Sequence, residues 1–115
     1  LQFVYDLMPE LTKMSKRKAL LLSGGQQKMV ALGRALIAGE KLLLLDEPFE
    51  GVAPALAKRI SDVITSLKGD GLSVLIAQSE LSHSSDLLQR ESVIERGEII
   101  KVNVIDPAFA QRVPV

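Results

Sequence analysis

Two short segments carry residue types whose spacing suits them to chemistry. In Leu22-Ser23-Gly24-Gly25-Gln26-Gln27, a helix-start signal is joined to a glycine pair. A helix N-terminus leaves backbone N–H groups unpaired and carries partial positive charge, so it attracts anions. Glycine there removes the Cβ that would hold a phosphate off the backbone, and Ser23 adds a hydroxyl donor. In Leu42-Leu43-Leu44-Leu45-Asp46-Glu47-Pro48, two carboxylates follow a short apolar run. At the C-terminal end of a parallel strand such a pair can divide the work, one carboxylate holding Mg²⁺ through water and its neighbour orienting or deprotonating an attacking water. Each segment alone has a plainer reading, a capped turn in one case and an acidic strand exit in the other. Together they point to nucleotide chemistry.

The rest of the chain must supply the elements that position these groups. Val4, Leu7, Met8 and Leu11 recur at helical spacing, and Pro9 predicts the end of that helix near Met8. The basic stretch through Lys18 reads as a connector, and Lys13, Lys16, Arg17 and Lys18 as its solvated surface. Ser23 with Gln26 three residues on forms a capping box that starts a helix. Met29, Val30, Leu32, Leu36 and Ile37 give that helix an apolar face, and Gly39 is its stop. Gly33 inside it costs about 1 kcal/mol against alanine, which predicts a close neighbour.

Leu42–Leu45 is short and unbroken, the pattern of a strand buried on both faces. Pro54 opens another helix with Leu56, Ile60, Val63, Ile64 and Leu67 along one side. Gly69 and Gly71 bracket a turn, and Ser73–Ala77 reads as a second buried strand. A short helix is expected at 82–89, then a hairpin in which Glu95-Arg96-Gly97-Glu98 turns between Val93-Ile94 and Ile99-Ile100. The tail after Asp106-Pro107 is expected to form one helical turn. Alternating strands and helices predict an α/β fold with parallel strands and right-handed crossovers. A boundary near Gly39 divides a helical portion, 1–39, from a sheet-based portion, 40–115.

Composition narrows the function classes. The 115 residues are one domain's worth, and 47% hydrophobic with 24% charged is globular. Fourteen basic and fourteen acidic residues give no net field toward nucleic acid or anionic lipid. With no cysteine, disulfides and thiolate metal sites are excluded. No apolar run reaches the ~18 residues needed to span a bilayer, and no secretory leader opens the chain. It begins at Leu1 rather than Met, and truncation of a longer protein is the expected cause.

Leu22-Ser23-Gly24-Gly25-Gln26, a helix ending Gly33-Arg34-Ala35-Leu36, and then Leu42–Pro48 resemble, in order and separation, the signature motif and Walker B of ABC-type ATPases. Glu50-Gly51-Val52-Ala53-Pro54 stands in the place of the family's D-loop, in a form similar to the ATPases of branched-chain amino-acid and related amide uptake. Val93–Ile99 resembles the family's closing strands. The resemblance covers about the first hundred residues. It implies part of a P-loop NTPase nucleotide-binding domain that dimerises head to tail with a second ATPase subunit around ATP and Mg²⁺. Ser23, Gly24, Gly25 and Gln26 would then contact the γ-phosphate held by the partner. Asp46 would position Mg²⁺, and Glu47 would act on the attacking water. Transmembrane permease subunits would be the further partners, at the cytoplasmic face of the plasma membrane, with no role for nucleic acid.

Three departures qualify the resemblance. No Gly-x-x-x-x-Gly-Lys-Ser/Thr occurs in the sequence. The phosphate cradle, Q-loop and adenine-stacking aromatic of the family therefore lie elsewhere, and this segment alone is expected to be inactive. The strand bearing the cradle would neighbour Ser73–Ala77, so an unpaired strand edge is expected there. The D-loop aspartate position falls on Ala53. The switch histidine position falls on Ser79, assigned as catalytic by that correspondence, and similar uptake ATPases have glutamine near this point. His83, the lone histidine, reads as a surface residue. Two alternatives stand beside an importer ATPase: a non-catalytic interaction or regulatory module, which would have no need of Asp46 and Glu47, and a non-transport ABC ATPase acting on nucleic acid, which the neutral charge disfavours.

Overall fold

A computed structural model describes residues 1–39, 41–68, 71–80 and 87–110. Two compact units divide the chain, Leu1–His83 and Ser84–Val115.

The first unit opens with two short helices, α1 (Gln2–Leu7) and α2 (Glu10–Met14), broken at Pro9. The stretch read as a connector thus contains a helix. Pro9 precedes α2 as its N-cap, a place where a missing N–H costs nothing. Only the basic residues beyond it behave as expected: Lys13, Lys16, Arg17 and Lys18 are all exposed. A single 3₁₀ turn at Ala19–Leu21 then leads into α3 (Gly24–Ala38), capped by Ser23 and followed by Gly39, the predicted limits. Met29, Leu32 and Leu36 are buried along it, whereas Ile37 is half exposed at 51%.

Gly33 has the close neighbour its helix position predicted. A Cβ there would stand 2.9 Å from Leu11 Cδ1 and 3.2 Å from Val4 Cγ1. The glycine therefore lets the α1–α2 corner, with Val4 and Met8 fully buried, press onto α3.

The chain then forms β1 (Leu42–Asp46), α4 (Pro54–Leu67) and β2 (Ser73–Ala77). The two strands are parallel, in register from Leu42 opposite Ser73 to Asp46 opposite Ala77. Proline sits at the start of α4, and Ala57, Ile60, Val63, Ile64 and Leu67 form its buried side. The expectation of strands buried on both faces is corrected. Leu43 is buried, but Leu42, Leu44 and Leu75 are 56%, 64% and 63% exposed. Among the described residues the sheet has only two strands, and alternate leucines along it remain exposed. Among the described residues neither outer edge of this sheet is paired, including the edge of β2 expected to be open.

An ion pair fastens α2 to α4. Arg59 Nε donates to Glu10 Oε1 at 2.7 Å and Arg59 Nη2 to Glu10 Oε2 at 3.1 Å, while Nη2 also donates to the Leu7 carbonyl at 2.9 Å. The hydrogen bonds from Arg59, outweighing partial burial, hold the Glu10 carboxyl below its ordinary 4.5. A lowered carboxyl stabilises the fold above its unfolded pKa and loses that contribution as pH falls through the folded value. Glu10→Gln is expected to cost about 1 kcal/mol at neutral pH, the bidentate geometry being offset by partial exposure. Urea unfolding should show the two proteins converging as pH falls from the ordinary carboxylate range through the lowered folded value. A gap that stays the same size across that fall would rule out the ion pair as its source.

The second unit is an antiparallel hairpin of β3 (Arg90–Glu95) and β4 (Glu98–Val104), as expected. Its two-residue turn places Arg96 at φ 52° and Gly97 at φ 84°, the doubly left-handed form that suits the twist of paired strands. A bulge falls between Val93 and Ile94. The predicted tail turn is α5 (Pro107–Ala110), where Asp106 Oδ1 accepts from the Ala108 N–H at 2.9 Å. His83 and most of the helix expected at 82–89 lie outside the described residues.

Candidate functional site

The helix start at Ser23 is built by reciprocal capping. The Gln26 N–H donates to Ser23 Oγ at 3.1 Å, and the Ser23 N–H donates to Gln26 Oε1 at 3.0 Å. Gln27 N–H bonds the Ser23 carbonyl at 2.9 Å, so the first-turn amides left over are those of Gly24 and Gly25. Gln27 Nε2 braces the approach from below, donating to the carbonyls of Ala19 and Leu22. The capping box uses Ser23 Oγ as acceptor, which leaves its hydroxyl proton for a ligand.

The two glycines are not equivalent. A Cβ on Gly24 would meet nothing within 4 Å, whereas one on Gly25 would lie 2.1 Å from Leu56 Cδ2 of α4. Gly24 is open to an incoming anion. Gly25 is instead the place where α4 approaches α3.

The carboxylate pair ends β1. Asp46 is exposed at the strand's C-terminal end, and Glu47 is half-buried just beyond it. Glu47 takes φ 47°, a left-handed backbone unusual for a residue with a Cβ. Its N–H bonds the Ala77 carbonyl at 2.8 Å, carrying the parallel ladder one residue past the strand. Both carboxylate oxygens have partners: Gln78 Nε2 on Oε2 and the Ser79 N–H on Oε1 at 3.0 Å. Gln78 Oε1 in turn accepts from the Phe49 N–H at 3.3 Å. Ser79 thus meets Glu47 through its main chain, and the side chain beside the carboxylate is that of Gln78.

A second tether comes from α3. Lys28 Nζ donates to the carbonyls of Glu47, at 3.0 Å, and Glu50. A cleft of about 230 Å³ opens beside this tether, lined by Lys28, Leu32, Asp46, Glu47 and Ile60 among others. Ser23–Gln26 are not part of its lining. The structure joins Ser79 to Glu47, next to Asp46, by a main-chain hydrogen bond. Gln78 and Lys28 had escaped the sequence reading. Gln78 carried one hint, the glutamine that similar uptake ATPases have near this point, while Lys28 had none.

Among the described residues no cluster of three or more histidine, aspartate or glutamate side chains could cage a metal. One exposed strand-end carboxylate fits Mg²⁺ whose other ligands are phosphate oxygens and water. Asp46 is the residue that would hold it. No helix among the described residues is long and apolar enough to cross a membrane.

Residues 4–50 match the ABC transporter family. The chain is 38% identical over 97 residues to the high-affinity branched-chain amino acid transport ATP-binding protein BraG of Pseudomonas aeruginosa, covering 84% of this chain and 42% of that protein. It is 40% identical over 91 residues to a probable branched-chain amino acid transport ATP-binding protein, LivG, of Methanocaldococcus jannaschii, covering 79% and 35%. The lipopolysaccharide export system ATP-binding protein LptB of Haemophilus influenzae is 42% identical over 79 residues, covering 69% and 33%. The chain thus spans well under half the length of these relatives. Among solved structures, a nucleotide-free ATP-binding cassette from an ABC transporter superposes with TM-score 0.82 at 32% identity, over 96% of this chain and 44% of that one. A dimeric cassette in a post-hydrolysis state with ADP and Pi gives 0.67 at 26% identity, over 73% and 36%.

Proposed function

We propose that this chain, which matches the ABC transporter family over residues 4–50 and resembles the ATP-binding proteins of branched-chain amino-acid uptake, is the signature and Walker B portion of an ATP-hydrolysing importer subunit. Branched-chain amino acids or related amides are the proposed cargo class. The observation that carries the reading is the pairing of a capped helix start, whose Gly24 and Gly25 amides are unspent, with a carboxylate pair at the end of a parallel strand. Such an arrangement suits a head-to-tail dimer, in which Ser23–Gln26 complete the site of a second ATPase subunit.

In the assembled site Ser23, Gly24, Gly25 and Gln26 bind the γ-phosphate, by amide, hydroxyl and side-chain donors at the positive end of α3. Mg²⁺, when bound near Asp46, neutralises phosphate charge. Glu47 accepts a proton from the attacking water as the water oxygen bonds phosphorus and the bond to the ADP oxygen breaks. Each Glu47 oxygen spends one lone pair on Gln78 or Ser79 and retains another for that water. Gln78 serves as the neutral counterpart of a switch histidine, and Ser79 contributes its main-chain N–H. The motion this drives passes to permease subunits, with the ATPase peripheral at the cytoplasmic face.

Association state is the direct test. Light scattering on the ATPase that carries this segment should show a dimer in ATP with Mg²⁺ withheld, and a monomer in ADP. A protein that stays monomeric in saturating ATP would remove the sandwich reading.

A further inference from the structure

Lys28 lies outside both sequence motifs, yet its side chain joins them. It stands in α3, five positions after the capping Ser23, and its ammonium reaches the carbonyls of Glu47 and Glu50. Those carbonyls belong to the loop that holds Glu47 in a left-handed conformation, one that a residue with a Cβ disfavours. A backbone of that kind persists only where its surroundings hold it. Here the Glu47 N–H is held by Ala77 and its carbonyl is shared by the Glu50 N–H at 3.2 Å and by Lys28. Of these holds, Lys28 alone is charged and alone comes from another helix. Without it, the loop has less reason to keep φ positive. A return to ordinary φ would carry the carboxylate away from Gln78 and Ser79.

The geometry points to Lys28 as a positioning residue that fixes the backbone of Glu47 from the helix whose N-terminus binds the anion. A phosphate seated at Ser23–Gln26 bears on α3, and α3 bears on Glu47 through the Lys28 side chain. The inference rests on the ATPase reading above. In a head-to-tail dimer the Ser23–Gln26 start of α3 serves the partner's nucleotide site and Glu47 serves its own, so Lys28, one turn along the same helix, couples one site to the other.

Steady-state ATP hydrolysis by the intact ATPase carrying this segment tests it, with Lys28→Met and Lys28→Arg beside the wild type. Lys28→Met is expected to lower kcat about tenfold, the scale of one charge-assisted hydrogen bond, with KM for ATP changed less than about twofold. Cooperativity toward ATP should fall toward a Hill coefficient of about 1. Lys28→Arg keeps the cation and its donors and should recover most of the loss. Circular dichroism melts report folding, and Lys28→Gln takes the place of the methionine variant if that one unfolds. An unchanged kcat, a loss confined to KM, or equal losses in the arginine and uncharged variants each overturns the positioning role. A wild type that hydrolyses no ATP overturns the ATPase reading itself, and is seen before any variant is made.

Discussion

Glu47→Gln is expected to lower ATP turnover by about 10²–10⁴-fold in the assembled ATPase, the usual contribution of a general base. ATP binding should survive. The substitution keeps the size and the oxygen that accepts from the Ser79 N–H, so the left-handed loop and its contacts have no steric reason to move. It removes the negative charge and the lone pair that takes the water proton. Its new NH₂ also faces the Gln78 amide, a donor-to-donor meeting that Gln78 can relieve by turning its own amide over, at the expense of the Phe49 N–H contact. Occupancy and rate should therefore part company, with nucleotide retained as ATP and the dimer long-lived. Single-turnover hydrolysis with radiolabelled ATP measures both. Turnover within threefold of wild type would take Glu47 out of the proposed chemistry.

Gly24→Asp is the second large effect. A Cβ at Gly24 meets nothing within 4 Å, so the variant should fold with an unaltered melt. Its carboxylate would nevertheless occupy the approach to the Gly24 and Gly25 amides and repel the anion that the helix start attracts. Like charges at close quarters cost several kcal/mol, so ATP-dependent dimerisation should weaken by at least about 100-fold. Gly25→Ala provides the contrast. There a Cβ would meet only the end of the half-buried Leu56 side chain, which can turn aside, so the melt should shift little and, with no charge added, dimerisation should weaken far less than in Gly24→Asp. Thermal melts and ATP-dependent light scattering on both variants separate the two. If Gly24→Asp dimerises normally in ATP, the helix start is not the phosphate site.

The half of the proposal that was legible in advance is the half built from local chemistry. The cap at Ser23 could be read because a capping box depends on residues three positions apart, and both of its bonds are present. The turn at Arg96-Gly97 and the proline at the start of α4 are equally local. Burial was less legible. Four consecutive leucines read as a strand enclosed on both faces, and Leu42 and Leu44 stand in solvent instead. The leucine pattern records the environment in which a strand works, and among the described residues Leu42 and Leu44 have no such cover. The helix at Glu10–Met14 was missed for a related reason. Its short polar sequence has little amphipathic signal, and it is held by Leu11 against Gly33 and by Glu10 on Arg59, contacts made with other elements.

The residue types at the site, their order and the family they resemble followed from the sequence, because motif chemistry is written within a few consecutive positions. The setting of the Glu47 carboxylate did not. Gln78 and Ser79 reach Glu47 from 31 and 32 positions away, and Lys28 from 19. Parallel pairing of β1 with β2 brings Ala77, and with it Gln78 and Ser79, alongside Asp46 and Glu47. Tertiary packing also divided the glycine pair into one position open to a ligand and one filled by Leu56. Spacing along a chain specifies what a helix start can bind; only the fold decides which side chains surround a carboxylate at the end of a strand.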